Sequence, residues 1–88
     1  MIEDELRDRA FIQTLSEEPH EDYWMLEYNG HGVDILVERE GDGWRMCRSP
    51  QGDEPQGSWI DIADDLPDAD MLALADRIIS GDVPPAIR

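Results

Sequence analysis

The chain has 88 residues, room for one domain, and a domain of that size buries only roughly 60–65% of its unfolded surface. Forty per cent of the residues are hydrophobic, with Trp24, Trp44 and Trp59 among them, which excludes a wholly disordered polymer. Twenty-two acidic residues stand against seven arginines and no lysine, a formal net charge of −15. That charge argues against direct binding to nucleic acid or to an anionic membrane face and makes basic protein surfaces the natural partners.

The opening segment, Ile2 to Leu15, reads as a helix. Ile2, Leu6, Ala10 and Phe11 or Leu15 recur near the helical period, and Glu3, Asp4 and Glu5 suit the positive end of the helix dipole. Pro19 ends the segment. From Asp22 to Tyr28 the pattern is that of a strand, with Trp24, Leu26 and Tyr28 facing the core and Tyr23 and Met25 facing away. Asn29-Gly30-His31-Gly32 is a turn. Val33, Ile35 and Val37 form the apolar face of a second strand. Gly41-Asp42-Gly43 turns the chain again into a third strand, with Trp44 and Met46 inward and Arg45 and Cys47 outward.

Ser49 to Ser58 is a Pro- and Gly-containing loop, and Trp59 to Ile62 is a fourth short strand. Asp65-Leu66-Pro67-Asp68 supplies a capping residue and a first-turn proline for a closing helix. Met71, Leu74, Ala75 and Ile78 are its apolar stripe, and Gly81 is its stop. Residues 83–88 form a loose or docked tail. The expected fold is therefore α+β: one domain over 1–88, α-β-β-β-(β)-α, with a three- to four-stranded antiparallel sheet and a helix at each end.

Catalytic chemistry finds no support in the spacing. Ser16, Ser49, Ser58, Ser80 and Cys47 could be nucleophiles and His20 and His31 bases, but none sits in a nucleophile elbow. As the sole cysteine, Cys47 can form neither an internal disulfide nor a cysteine zinc site. Asp61 to Asp70 holds five carboxylates in ten residues, yet Pro67 and the missing glycine break a calcium-loop pattern. Gly41-Asp42-Gly43 is too short and too acidic to cradle phosphate. No enzyme activity, metal or other cofactor is expected.

What remains is the distribution of acid. Asp61, Asp64, Asp65, Asp68 and Asp70 are the first candidates for contact with a basic partner; Glu17, Glu18, Glu21 and Asp22 are the second. Carboxylates one helical turn apart are roughly 6 Å from each other, comparable with successive phosphates, so a rigid acidic face can occupy a groove built for nucleic acid. Trp59 and Tyr23 are the candidate apolar anchors.

The strand-turn-strand-loop-helix order from Val33 to Ile79, with Gly41-Asp42-Gly43 before Trp44, resembles the β-β-β-α module of Hic-type antitoxins over about half the chain. Ser49-Pro50-Gln51-Gly52 departs from that module's glycine segment, and no residue role carries over. In size and charge the chain looks like phage or plasmid inhibitors of DNA-binding defence systems, including anti-CRISPR and anti-restriction proteins. The expected function is accordingly a non-enzymatic inhibitor that binds a basic, nucleic-acid-binding protein. An antitoxin or immunity-type binder and an acidic housekeeping domain of a salt-adapted cell are the alternatives. No apolar run reaches the roughly 18 residues of a membrane span and the N-terminus lacks a secretory pattern, so a cytoplasmic location is expected.

Overall fold

A computed structural model describes residues 2–15, 22–27 and 30–84. The elements in chain order are α1 (Ile2–Asp8), β1 (Ile12–Leu15), β2 (Asp22–Leu26), β3 (Ile35–Glu40), β4 (Gly43–Arg48), β5 (Ile60–Leu66) and α2 (Asp68–Ile79). The strands form a five-stranded antiparallel meander in the order β1-β2-β3-β4-β5, so β1 and β5 are its edges. The α+β class and the two terminal helices are as the sequence predicts.

The strand alternation determines which face is covered. Trp24, Leu26, Ile35, Val37, Trp44, Met46 and Ile62 point to one face and are buried there with Leu6 of α1 and Met71, Ala75 and Ile78 of α2. A side chain of this size contributes about 1.5–3 kcal/mol when fully buried. The opposite face carries the half-buried Tyr23, Met25, Leu36, Glu38 and Arg45. There Met25 registers with Leu36, Leu36 with Cys47, and Cys47 with Asp61.

The first helix is shorter than its periodicity suggests. Ala10 adopts a left-handed conformation, φ 68°. Its N–H donates to Arg7 O at 2.9 Å, and the N–H of Phe11 donates to Leu6 O at 3.0 Å. This is a Schellman ending, with Phe11 and Leu6 both buried beside it. Ile12 to Leu15 then pair with β2 instead of continuing the helix, which adds a fifth strand. The helix α2 ends in the same way, but with Gly81 (φ 101°) in the left-handed position. Its start also differs from the prediction. Pro67 is the N-cap residue, without a side-chain cap bond, while Asp65 (φ 52°) lies within β5 at the register shift between the pairs Met46–Ala63 and Trp44–Leu66.

Two further contacts hold the layers. Arg9 Nε and Nη2 donate to the two carboxylate oxygens of Asp76 at 2.7 and 3.0 Å, joining the end of α1 to α2. At the start of the tail, Val83 packs on the core and Pro84 O accepts from Arg48 Nε at 2.9 Å, while residues 85–88 lie outside the described residues. No helix among the described residues is long and apolar enough to cross a membrane.

Candidate partner-binding surface

The acidic run is not a single helical patch. Asp61, Asp64 and Asp65 lie on the edge strand β5, and Asp68 and Asp70 in the first turn of α2. Two of the five are engaged within the fold. Cys47 Sγ donates to Asp61 Oδ1 at 2.9 Å. Trp44 Nε1 at 2.7 Å and Arg39 Nη1 at 3.1 Å both donate to Asp68 Oδ1, which ties α2 to the β3–β4 hairpin. Asp64, Asp65 and Asp70 are exposed and make no ion pair with the described residues.

The hairpin adds carboxylates that local sequence reading assigned only to a turn. Gly41 (φ 61°) and Asp42 close a two-residue loop between Glu40 and Gly43. The positive φ at its first position is that of a type II′ turn. Beside it, the start of β4 runs close to the end of β5: a Cβ on Gly43 would sit 3.1 Å from the Asp65 carbonyl carbon and Cα. That approach brings Glu40, Asp42 and Asp65 around one cleft of about 450 Å³, walled also by Gly41, Gly43 and Pro67. No arginine among the described residues lines it.

Electrostatics elsewhere sharpen the contrast. Each of the six arginines among the described residues is paired with acid: Arg7 with Asp4, Arg9 with Glu5 and Asp76, Arg39 with Asp68, Arg45 with Glu38, Arg48 with Glu54, and Arg77 with Asp82. The Arg9 guanidinium is held charged above its ordinary range by its bonds to Asp76 and Glu5. Arg48 is buried and grips Glu54 with both ends of its fork at 2.6 and 2.8 Å. That bond, helped by the N–H of Gln51, pulls the Glu54 carboxyl down to about 2. The excess acid is left without a compensating cation on the described surface.

The remaining predicted residues are dispersed. Trp59 is 40% exposed just before β5 and lines a separate cavity of about 140 Å³ with Asp34, Ser49, Pro50, Gly57 and Ser58. Tyr23 lies on β2 opposite Glu38, separated from β5 by both β3 and β4, and does not belong to the same patch. The backbone of Asp22 pairs with Leu15, but its side chain, like Glu17, Glu18 and Glu21, lies outside the described residues.

Cys47, Ser49 and Ser80 are bonded within the fold, whereas Ser16 and His20 lie outside the described residues. Burial, with the Asp61 carboxylate beside it, pushes the Cys47 thiol up to about 12, so it stays protonated at neutral pH. The Ser49 hydroxyl accepts from the N–H of Asp34 at 2.9 Å, and that of Ser80 donates to Asp76 O at 2.5 Å. Among the described residues no group of three or more His, Cys, Asp or Glu is placed to hold a metal ion.

Against protein-family models, curated proteins and solved structures, the chain matches none. The resemblance to Hic-type antitoxins therefore extends no further than the order β3-β4-β5-α2.

Proposed function

We propose that this protein is a non-enzymatic acidic inhibitor that presents carboxylates to the basic, nucleic-acid-binding surface of a target protein. It is of the anti-CRISPR or anti-restriction kind carried by phage and mobile elements. The observation that carries the reading is the cleft at the hairpin end of the sheet. Glu40, Asp42 and Asp65 meet there from two distant segments, without an arginine, on a chain whose described arginines are already paired. Asp64 on the neighbouring edge strand and Asp70 in the first turn of α2 extend the same charge. A groove that holds phosphates with Lys and Arg would accept such a surface, and counterions would make the binding depend steeply on salt. The check is the affinity for the captured target across a salt series. A steep loss is expected, and an affinity unchanged from low to high salt contradicts the reading.

One observation favours a second reading, an antitoxin or immunity-type binder. The sheet face opposite the helices carries Met25 and Leu36 half-buried, beside Ile12 on the edge strand at 64% exposure. An interface built on that row is apolar and little affected by salt, so the same titration separates the two.

A further inference from the structure

A different cavity lies on the helix-covered face at the hairpin end of the sheet. Its volume is about 240 Å³, and it is lined by Ile2 and Glu3 of α1, Gln13 of β1, Trp24 of β2, Arg39 of β3 and Trp44 of β4. It exceeds the ~150 Å³ of an engineered cavity that accepts benzene. Exposed Gln13 and Arg39 open it to solvent.

Its charges do not balance. Arg7 stacks over Trp24 at 5.3 Å and Arg39 over Trp44 at 5.0 Å, but each already has its own carboxylate, Asp4 for the first and Asp68 for the second. Glu3 is paired with no cation among the described residues, and its Oε2 is buried and accepts no hydrogen bond. A buried carboxylate oxygen without a donor is costly, and the terminal torsion of a glutamate is soft enough to turn it toward a donor in the cavity. The indoles of Trp24 and Trp44 form apolar walls, each with an arginine already over its ring.

We infer that this cavity is a receptor for a single alkyl cation, a lysine ammonium or arginine guanidinium, which pairs with Glu3 between Trp24 and Trp44. The inference rests on the proposed function for the source of that cation, a basic side chain of the target. Glu3 supplies the hydrogen-bonded charge, the indoles supply the apolar walls for the alkyl stem, and the cavity anchors one residue while the acidic cleft holds the surrounding charge.

The test needs no partner. Ethylguanidinium or n-butylammonium chloride is titrated into the whole protein while the indole N–H resonances are followed by NMR, with sodium chloride at matched ionic strength as the reference. The Trp24 and Trp44 signals are expected to shift saturably, and that of Trp59 no more than in sodium chloride. Glu3→Gln, which keeps the shape and removes the charge, is expected to weaken binding about tenfold or more, the worth of a charge-assisted hydrogen bond. Asp53→Asn, in the exposed loop between β4 and β5, is expected to leave it unchanged. The cation that binds more tightly tells which side chain the cavity takes. A linear response, a response equal to that in sodium chloride, or unchanged affinity in Glu3→Gln overturns the inference. None of these results bears on the salt dependence of partner binding, so the cavity and the proposed function fail separately.

Discussion

Individual residues explain where the chain changes direction. Ala10 and Gly81 occupy the same position in two helix endings of the same kind, but only glycine reaches φ near 68–101° without a Cβ penalty. Ala10→Gly is therefore expected to stabilise the protein by about 0.5–1 kcal/mol, read as a higher urea midpoint at unchanged slope. Gly43 is the opposite case. Its missing Cβ lets the β4 backbone approach Asp65, and Gly43→Ala forces a 3.1 Å contact with main chain that cannot swing away. A loss of about 1–3 kcal/mol is expected, together with distortion of the acidic cleft.

At the scale of elements, β3, β4 and α2 were legible in the sequence. Val33 to Val37 alternate, Gly41-Asp42-Gly43 has hairpin chemistry, and Met71, Ala75 and Ile78 recur at helical spacing before a glycine stop. The strand β1 was not legible. Ile12 and Leu15 fit a helical stripe as well as a short strand, and Ala10 does not carry the glycine signal that marked the end of α2. Pairing with β2 decided the matter, and that partner lies outside the local window that a helical stripe is read from. The acid of β5 was visible as composition, but its division was not. Asp61 and Asp68 turn inward to Cys47, Trp44 and Arg39, while Asp65 joins Glu40 and Asp42 across the strand pairing. Only the register of β4 against β5 makes that distinction.

The loop between β4 and β5 makes a prediction of its own. Arg48 and Gln51 hold the Glu54 carboxyl below its ordinary 4.5, near 2, in the folded state. A carboxyl depressed by folding adds stability that is fully present above the unfolded value. That stability is lost as pH falls from about 4.5 toward about 2. Urea denaturation across this range is expected to show the loss in the wild type and a smaller one in Glu54→Gln. Equal slopes for both would mean that the pair contributes nothing to acid sensitivity.

For the whole molecule, the net charge of −15 works against compactness. The ion pairs of the described arginines offset only part of it, and most of them are exposed, where a pair contributes about 0–1 kcal/mol. Melting temperature is expected to rise as salt shortens the Debye length from about 30 Å toward about 8 Å, while partner affinity falls over the same interval. These opposite trends separate stability from recognition. An acidic domain whose charge served solubility alone would show the first trend and have no partner to show the second.

The measurement that bears most directly on carboxylate-directed recognition is capture of the target from lysate of the native host. The tagged protein is used beside the variant Asp42→Asn/Asp65→Asn/Asp70→Asn, and both are eluted with a salt gradient and read by mass spectrometry. The account predicts a basic nucleic-acid-binding protein held by the wild type at low salt, released at moderate salt and absent from the variant. A partner retained equally by both proteins through high salt, or no partner at low salt, would contradict it.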